Sequence, residues 1–432
     1  MRPSPENIAS LVLSKFDTLP QKCKPRSQPD GRREWTPLSA IVLARSGRDP
    51  ELTCVSLATG TKCLPSSAMV KCQGMVLHDS HAEILALRGL NCWLLSEAKE
   101  VLSDPSYRSP FLEFDLSGPS NAARDQPSSP MPPLKLQQDI SIHFFTTEAP
   151  CGDASMEILI KSMGPGETEP WPVEDTALKT LQGRGHFSLL GYVRRKPARA
   201  DADQSHSKSC TDKLTVKQFT SVLSFPTDLF IQRTENAYIR TLIVYRDQYD
   251  STGYERAFGR SGRLSNVCSL DHPFRIDPLP EDFPRFMYDR ANTDSDHECK
   301  AKVTNISALW IRCAGTAAAT AADVVEVLMN GVKSGFKQWD QRPTKASIVS
   351  RYKLWQLAHS MLPFIRDEEE LHRPHHQAWA DGLSQSLSAE TYAAAKSTIL
   401  RADRITLKNG TTDALGNWEN NDGDYSWNCT DV

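Results

Sequence analysis

The sequence predicts a mixed α/β fold, one large domain with loop insertions. Three observations carry this. Apolar stretches of strand length and of helix length alternate along the chain. No segment repeats another. Each Pro/Ser-rich stretch is followed at once by renewed strand or helix patterning, so it reads as an insertion and not as a domain boundary. The 432 residues, 39% hydrophobic and 24% charged, can bury a sizeable core without disulfide staples. No run approaches the roughly 18–20 apolar residues of a membrane span. The N-terminus lacks a signal peptide's apolar run and cleavage site. Eleven cysteines without a CxxC pair are therefore expected to stay reduced, in the nucleus and/or cytoplasm. A secreted, membrane or collagenous protein is excluded.

The elements follow in order. Residues 5–17 read as an amphipathic helix, with Ile8, Leu11, Leu13 and Phe16 near helical spacing. LSAIVLAR (38–45) and LTCVSLATG (52–60) read as strands joined by a polar turn. In HDSHAEILALRGLNCWLLSEA, Ile84, Leu87, Leu90 and Leu94 mark a helix with Asp79 or Ser80 as its N-cap. Residues 115–138, with five prolines, read as a flexible insertion. A strand at 139–149 and a helix at 151–163 follow. Residues 164–187 read as a loop, then come a strand around FSLLGYVRR and a helix from Cys210 to about Leu223. Strands are expected near 238–246 and 303–312, and helices near 321–332, 345–362 and 386–400.

A formal charge of −3 argues at first against a nucleic-acid partner. The charge is uneven, however: 194–217 and 333–353 are basic, whereas 277–298 and 403–432 are acidic. A basic face can coexist with a near-zero sum. For any single patch the plain reading is solvated surface.

Three segments carry chemistry: His81-Ala82-Glu83, Pro150-Cys151-Gly152-Asp153 and Ser209-Cys210-Thr211-Asp212-Lys213, each at an expected helix start. One imidazole and two thiolates suit zinc, leaving a fourth tetrahedral position to water. Helix N-termini favour the thiolate form. A Glu two residues after the His can reach that water without ligating the metal, and H-x-E followed by P-C is a nucleobase-deaminase signature. Such a Glu shuttles protons while the metal activates water. The usual P-C-x-x-C is broken here, because Ala154 stands where the second Cys would fall. By spacing alone the third ligand stays open among Cys210, 59 residues beyond Cys151, and Cys54, Cys63, Cys72 and Cys92, which lie closer to the His.

GTKCLP (60–65), GMVLHDSHAEILALRGL (74–90), EAPCGDAS (148–155), RRKPARADADQ (194–204) and SKSCTDKL (207–214) together resemble the deaminase domain of the RNA adenosine deaminases. That group comprises double-stranded-RNA editing enzymes and tRNA adenosine deaminases. The matches run from REWTPLSAIVL to AETYAAAKSTIL and ALGNWE. With only about 35 residues before the first strand and no double-stranded-RNA-binding module there, the chain is similar to the branch acting on adenosine 37 of alanine tRNA. The resemblance implies a cytidine-deaminase-like α/β fold, a mixed sheet with zinc-site helices packed on it, plus a C-terminal helical extension. It makes His81, Cys151 and Cys210 the zinc ligands and Glu83 the proton shuttle.

It also implies a buried inositol hexakisphosphate, held at Arg88, Lys213, Lys337, Tyr392, Lys396 and Trp418. Leu87-Arg88 stands where the editing enzymes carry two arginines, and Val216 where an Arg is common, so the cage is thinner or differently built. A buried polyanion needs such a cage because unpaired buried charge is costly. The loop carrying Arg194, Arg195, Lys196 and Arg199 lies between two zinc-ligand segments and is expected to contact RNA phosphates, with a solvated loop as the plain alternative. His372, His375 and His376 read as solvent-exposed, not as a second metal site. The expected partner is the anticodon stem-loop of a tRNA, with no membrane and no obligate protein partner. The competing readings are deamination of another RNA, a catalytically silent RNA-binding homologue, and a structural zinc protein.

Overall fold

The computed structural model describes residues 2–27, 34–115, 130–163, 181–183, 189–196, 203–265, 272–290, 301–315, 322–367, 374–421 and 423–429. Helix Pro5–Asp17 (α1) starts where the Ser4 hydroxyl accepts the Asn7 N–H, with Pro5 in its first turn. Strands Leu38–Arg45 (β1) and Glu51–Thr59 (β2) form the expected antiparallel pair. Then come helix Ala82–Ser103 (α2), strand Ile140–Thr146 (β3), and helices Met156–Lys161 (α3) and Cys210–Thr220 (α4). Strand Ile239–Val244 (β4), helix Ser251–Phe258 (α5) and strands Arg275–Pro278 (β5), Ser307–Ile311 (β6), Val324–Met329 (β7) and Val332–Lys333 (β8) follow. The C-terminal part is helical: Arg351–His359 (α6), Leu362–Asp367 (α7), Pro374–Leu387 (α8), Tyr392–Lys396 (α9) and Ala402–Leu415 (α10).

The eight strands make one mixed sheet in the order β5-β4-β3-β1-β2-β6-β7-β8. β3, β4 and β5 run parallel, and the other neighbours pair antiparallel. Alternation along β1 divides the core. Ile41 and Leu43 face α2, while Leu38, Ala40 and Val42 face α1 through Ile8, Val12 and Phe16. Both faces are covered, which is why residues 40–44 of β1 read as an unbroken apolar run. α2 is buried nearly all round, as a central helix must be. Gly89 lets it lie close on β2, since a Cβ there would stand 2.0 Å from the Ser56 hydroxyl. The C-terminal helices are anchored by buried Trp379, whose indole N–H donates to the Leu229 carbonyl at 2.7 Å.

Several expectations are corrected. Residues 324–329 are a strand, not a helix. Val325 and Val327 pack towards α1 and Val324 and Leu328 towards α2, so the true period is two, and the β-branched valines fit an extended chain. The N-cap of α2 is His81, because Asp79–His81 is held extended by pairing with Thr61–Cys63. Within 115–138, Leu134–Leu136 pairs with Leu112–Phe114 and buries both leucines, so the end of that stretch is core; 116–129 lie outside the described residues. Of the strand expected around 187–195, residues 187 and 188 lie outside the described residues, and among the rest Arg194–Arg195 alone is strand, paired with Leu181–Gln182. The helix expected at 151–163 begins as a 3-10 turn and is regular only over α3. The 386–400 helix is the end of α8, then α9 and a 3-10 turn, and α5 and α10 went unread. His376 is buried, not exposed; His372 lies outside the described residues.

Candidate metal centre and active site

The three sequence motifs meet. His81 caps α2, Cys151 follows β3 after Glu148-Ala149-Pro150, and Cys210 opens α4 behind its N-cap Ser209. His81 Nδ1 lies 3.9 Å from Cys151 Sγ and 3.7 Å from Cys210 Sγ, and all three donor atoms fall within 4.8 Å of one another. Tetrahedral zinc, with Zn–N about 2.05 Å and Zn–S about 2.3 Å, requires N···S separations of about 3.6 Å. The donor set therefore fits zinc in both chemistry and spacing. Cys54, Cys63, Cys72 and Cys92, the alternatives left open by spacing, are not part of this cluster.

Charge around the sulfurs is arranged in depth. The Cys210 backbone N–H points at Cys151 Sγ at 3.4 Å. A hydrogen bond from Cys210, with Lys196 and His81 nearby, holds the Cys151 thiol well below its ordinary value. Burial and the neighbouring thiolate push Cys210 the other way, so without a metal the pair favours one thiolate. Lys196 Nζ donates to Cys210 Sγ at 3.2 Å and to the two Asp79 carboxylate oxygens at 3.0 and 2.8 Å. Burial opposes its charge, but Asp79 and the sulfurs hold this ammonium well above the ordinary lysine range. Asp79 is buried too, and Lys196 and Lys213 keep it ionised. Ser207 completes the group, donating to Asp79 at 3.0 Å and accepting from Lys213 at 2.7 Å.

Glu83 sits in the first turn of α2, buried, with Cys151, His81 and Lys196 as its charged neighbours. Burial first and Cys151 second raise its carboxyl above the ordinary value. That is the direction that suits a group which both takes up and returns a proton. The phenol of Tyr254, on α5, is buried close by, its ionisation opposed by burial and by Glu83.

The loop expected to meet phosphates is corrected in two of its members. Arg194 and Lys196 are buried, 1% and 3% exposed. Arg194 donates to the Gly183 carbonyl at 2.9 Å, and Lys196 serves Asp79 and Cys210. Arg195 pairs with Glu419 at the surface at 3.1 Å, and Arg199 lies outside the described residues. The basic run in the sequence thus mixes interior and surface charges, which composition cannot separate.

A second charged interior lies under the C-terminal helices. Arg88, Lys217, Arg351, Lys396, Arg401 and Arg404 converge there, buried or half-buried, facing only Asp228 and Asp424 as carboxylates among their described neighbours. Arg401 and Arg404 share Asp228 at 2.9 and 3.0 Å, and Arg351 reaches Asp424 at 2.8 Å. Burial pushes Lys396 down to about 8 and Arg88 and Arg404 to about 10. Despite burial, Arg351 and Lys396 draw the Tyr425 hydroxyl down to about 7. Such depressed cations and an acidified phenol mark positive charge in excess of its built-in partners. Of the residues expected at an inositol phosphate, Arg88, Tyr392 and Lys396 belong here. Lys213 is engaged with Asp79, Lys337 is exposed on a loop, and Trp418 packs by Lys208 and Leu415. Trp427, stacked 4.9 Å from Tyr392, is the tryptophan that reaches this region. Arg351, Arg401, Arg404 and Lys217 were missed, since scattered basic residues carry no spacing signal.

Cys72, His78 and Asp424 form another buried cluster with ligand-type atoms. Arg351 Nη1 stands 2.8 Å from Asp424 and 2.9 and 3.1 Å from the His78 nitrogens, so a guanidinium already takes the cation's place. Burial also keeps Cys72 a thiol, pushed up to about 12.

Comparison with known proteins agrees with this geometry. The chain is 34% identical over 368 residues to tRNA-specific adenosine deaminase 1 of Schizosaccharomyces pombe, covering 84% of this chain and 87% of the relative. It is 30% identical over 376 residues to the Saccharomyces cerevisiae protein of the same name, covering 83% and 84%. A Drosophila melanogaster relative of that name is 29% identical over about half of each chain. Residues 56–421, which include His81, Glu83, Cys151 and Cys210, match the adenosine-deaminase (editase) domain, and the chain belongs to that family.

Proposed function

We propose that this protein is a zinc-dependent tRNA adenosine deaminase that hydrolyses adenosine to inosine and ammonia at position 37 of alanine tRNA. The observation that carries the reading is a buried Glu83 beside a His81, Cys151, Cys210 donor set of zinc-binding spacing. The names of the two relatives matched over most of their length support tRNA as the substrate class. Zinc, when held there, supplies the Lewis acidity that makes water nucleophilic near neutral pH. The Glu83 carboxylate would take one proton from the attacking water and pass it to the ring nitrogen, then take the second from the hydroxyl added at C6 and pass it to the amine, which leaves as ammonia. Lys196 stays charged against Cys210 and so offsets the negative charge of the thiolates. Adenosine in an anticodon loop is already partly unstacked, which lowers the cost of presenting it to a recessed site. Arg195 and Arg199 remain the loop's candidates for phosphate contact. No helix among the described residues is long and apolar enough to cross a membrane.

The C-terminal cation cluster fits inositol hexakisphosphate. Arg88, Lys217, Arg351, Lys396, Arg401 and Arg404 would hold it, with Tyr392 and Tyr425 as hydroxyl partners. It would act as a structural counter-ion, balancing charge that Asp228 and Asp424 leave uncompensated.

The test is an inosine assay on transcribed alanine tRNA, wild type beside Glu83→Ala, with zinc quantified in both. Conversion at adenosine 37 by wild type alone, with zinc kept in the variant, supports substrate and mechanism. Conversion by Glu83→Ala at the wild-type rate, or none by zinc-loaded wild type, overturns the reading.

A further inference from the structure

Both metal-facing cysteines head the same three-residue unit, Cys151-Gly152-Asp153 and Cys210-Thr211-Asp212. The two aspartates are fully buried. Each receives one guanidinium from segment 251–265 and one backbone N–H from segment 189–196. Asp153 accepts from Arg256 Nε at 3.0 and 3.2 Å and from the Gly191 N–H at 2.6 Å. Asp212 accepts from Arg263 Nη1 at 2.5 Å, from the Arg194 N–H at 2.9 Å and from the Ser209 hydroxyl at 2.5 Å. Arg256 also donates to the Asp153 carbonyl at 3.0 Å and to Glu157 at 2.9 Å, and Arg263 to the Thr215 hydroxyl at 2.7 Å.

Between these two anchors the cysteine turns touch directly. The Thr211 N–H donates to the Cys151 carbonyl at 3.0 Å and its hydroxyl to the Pro150 carbonyl at 2.8 Å. Gly152, at φ +113°, lets Ser209 approach so closely that a Cβ would stand 2.2 Å from its hydroxyl oxygen. Each turn is thus pressed against the other in front and tied to a guanidinium behind.

We propose that Arg256 and Arg263 are positioning residues, one behind each cysteine, that together hold the two sulfurs at metal-binding separation. The inference rests on reading His81, Cys151 and Cys210 as the zinc ligands. Neither arginine contacts a sulfur; each acts through the aspartate two residues past its cysteine. Each guanidinium spreads its planar donors over fixed acceptors, Arg256 over Asp153 and Glu157 and Arg263 over Asp212 and Thr215, which a lysine's single ammonium does less well. Because Asp153 and Asp212 also hold segment 189–196, the same pair sets the path of the chain leading to Lys196, the donor to Cys210.

The experiment uses the full chain as wild type, Arg256→Gln, Arg263→Gln and the two Arg→Lys variants. Arg285→Gln is the control, since Arg285 bridges Asp247 and Asp289 at 3.1 and 2.6 Å without touching either cysteine turn. Zinc retention is titrated against a chelator, and the thiolate-to-cobalt absorption is recorded after cobalt substitution. Each Arg→Gln change is expected to weaken zinc about 10- to 100-fold, the usual effect of losing a group behind a ligand. It should also shift the cobalt spectrum, with Arg→Lys between and Arg285→Gln like wild type. Wild-type zinc retention and cobalt spectra in folded Arg256→Gln and Arg263→Gln overturn the proposal, as does equal zinc loss in Arg285→Gln. If a Gln variant does not fold, the spectrum of its Lys counterpart decides in the same way. A wild type that binds no zinc overturns the metal reading itself, a different result from a clamp that proves dispensable.

Discussion

The metal centre and the C-terminal cation cluster both bury charge within one chain, but they balance it in different ways. Around the candidate metal centre the buried cations have protein partners at hydrogen-bonding distance: Lys196 with Asp79 and Cys210, Arg263 with Asp212, Arg256 with Asp153. In the cluster, six cations face two carboxylates among the described residues, and burial and mutual repulsion depress several of them. The first region is organised by the chain, ready to receive a metal. The second leaves positive charge in excess of the carboxylates that face it among the described residues, the charge that the proposed polyanion would balance. Removing one partner should therefore be costly in the first region and depend on the bound anion in the second.

The largest effect tests the chemistry of the first region. Glu83→Gln should lower the rate of inosine formation by about 10²–10⁴, the usual contribution of a positioned proton shuttle, while zinc content stays at the wild-type level. A variant within tenfold of wild type would remove Glu83 from the reaction.

Next comes the contrast itself. Lys196→Met leaves the buried Asp79 carboxylate to Lys213 and Ser207 and removes the donor to Cys210, and should cost about 1.5–3 kcal/mol in urea unfolding. Lys396→Met in protein freed of polyanion should leave stability unchanged or raise it, because it relieves repulsion from Arg351 and Arg401. Equal losses in the two variants would erase the distinction.

A ligand sharpens it further. Inositol hexakisphosphate at 100 times its dissociation constant should stabilise the polyanion-free wild type by about 2.7 kcal/mol. The gain should shrink in Lys396→Met. Thermal melts with and without the anion decide this, and a wild type that does not respond would leave the cluster without its proposed occupant.

The smallest effect lies at the seam between the regions. Burial first, and Arg351 second, lower the His78 imidazole to about 4 from its ordinary 6.5. Between those values the unfolded chain binds a proton that the folded chain refuses. His78's contribution is therefore complete above about pH 6.5 and is lost as pH falls towards 4, on the order of 2 kcal/mol by pH 5. Urea midpoints across that range should slope upward with pH in wild type and flatten in His78→Asn.

The motifs around the proposed zinc ligands were legible because their chemistry is local. His81-x-Glu83 and Pro150-Cys151 each lie within a few residues, the first at the start of α2 and the second shortly after β3. Cys210 needed the family resemblance, and the structure brings its Sγ to 3.7 Å from His81 Nδ1. The repeated Cys-x-Asp was also present in the sequence, and would have pointed to Asp153 and Asp212 had the two units been set side by side. By contrast, nothing local distinguishes Arg256, Arg263, Arg351 or Arg404 from surface arginines.

What the sequence alone determined is what short-range physics encodes: the α/β alternation, α1, the β1–β2 pair, the start of α4, and the residue types suited to zinc. Only the tertiary structure decided which side of the surface each long cation lies on. Arg194 and Lys196 turn inward while Arg195, between them, pairs with Glu419 outside. It also decided that 324–329 is a strand, since its valines serve two cores that exist only once α1 and α2 have covered opposite faces of one sheet. Burial and pairing of a charged side chain depend on elements distant in sequence, and an unaligned sequence carries no trace of which elements will meet.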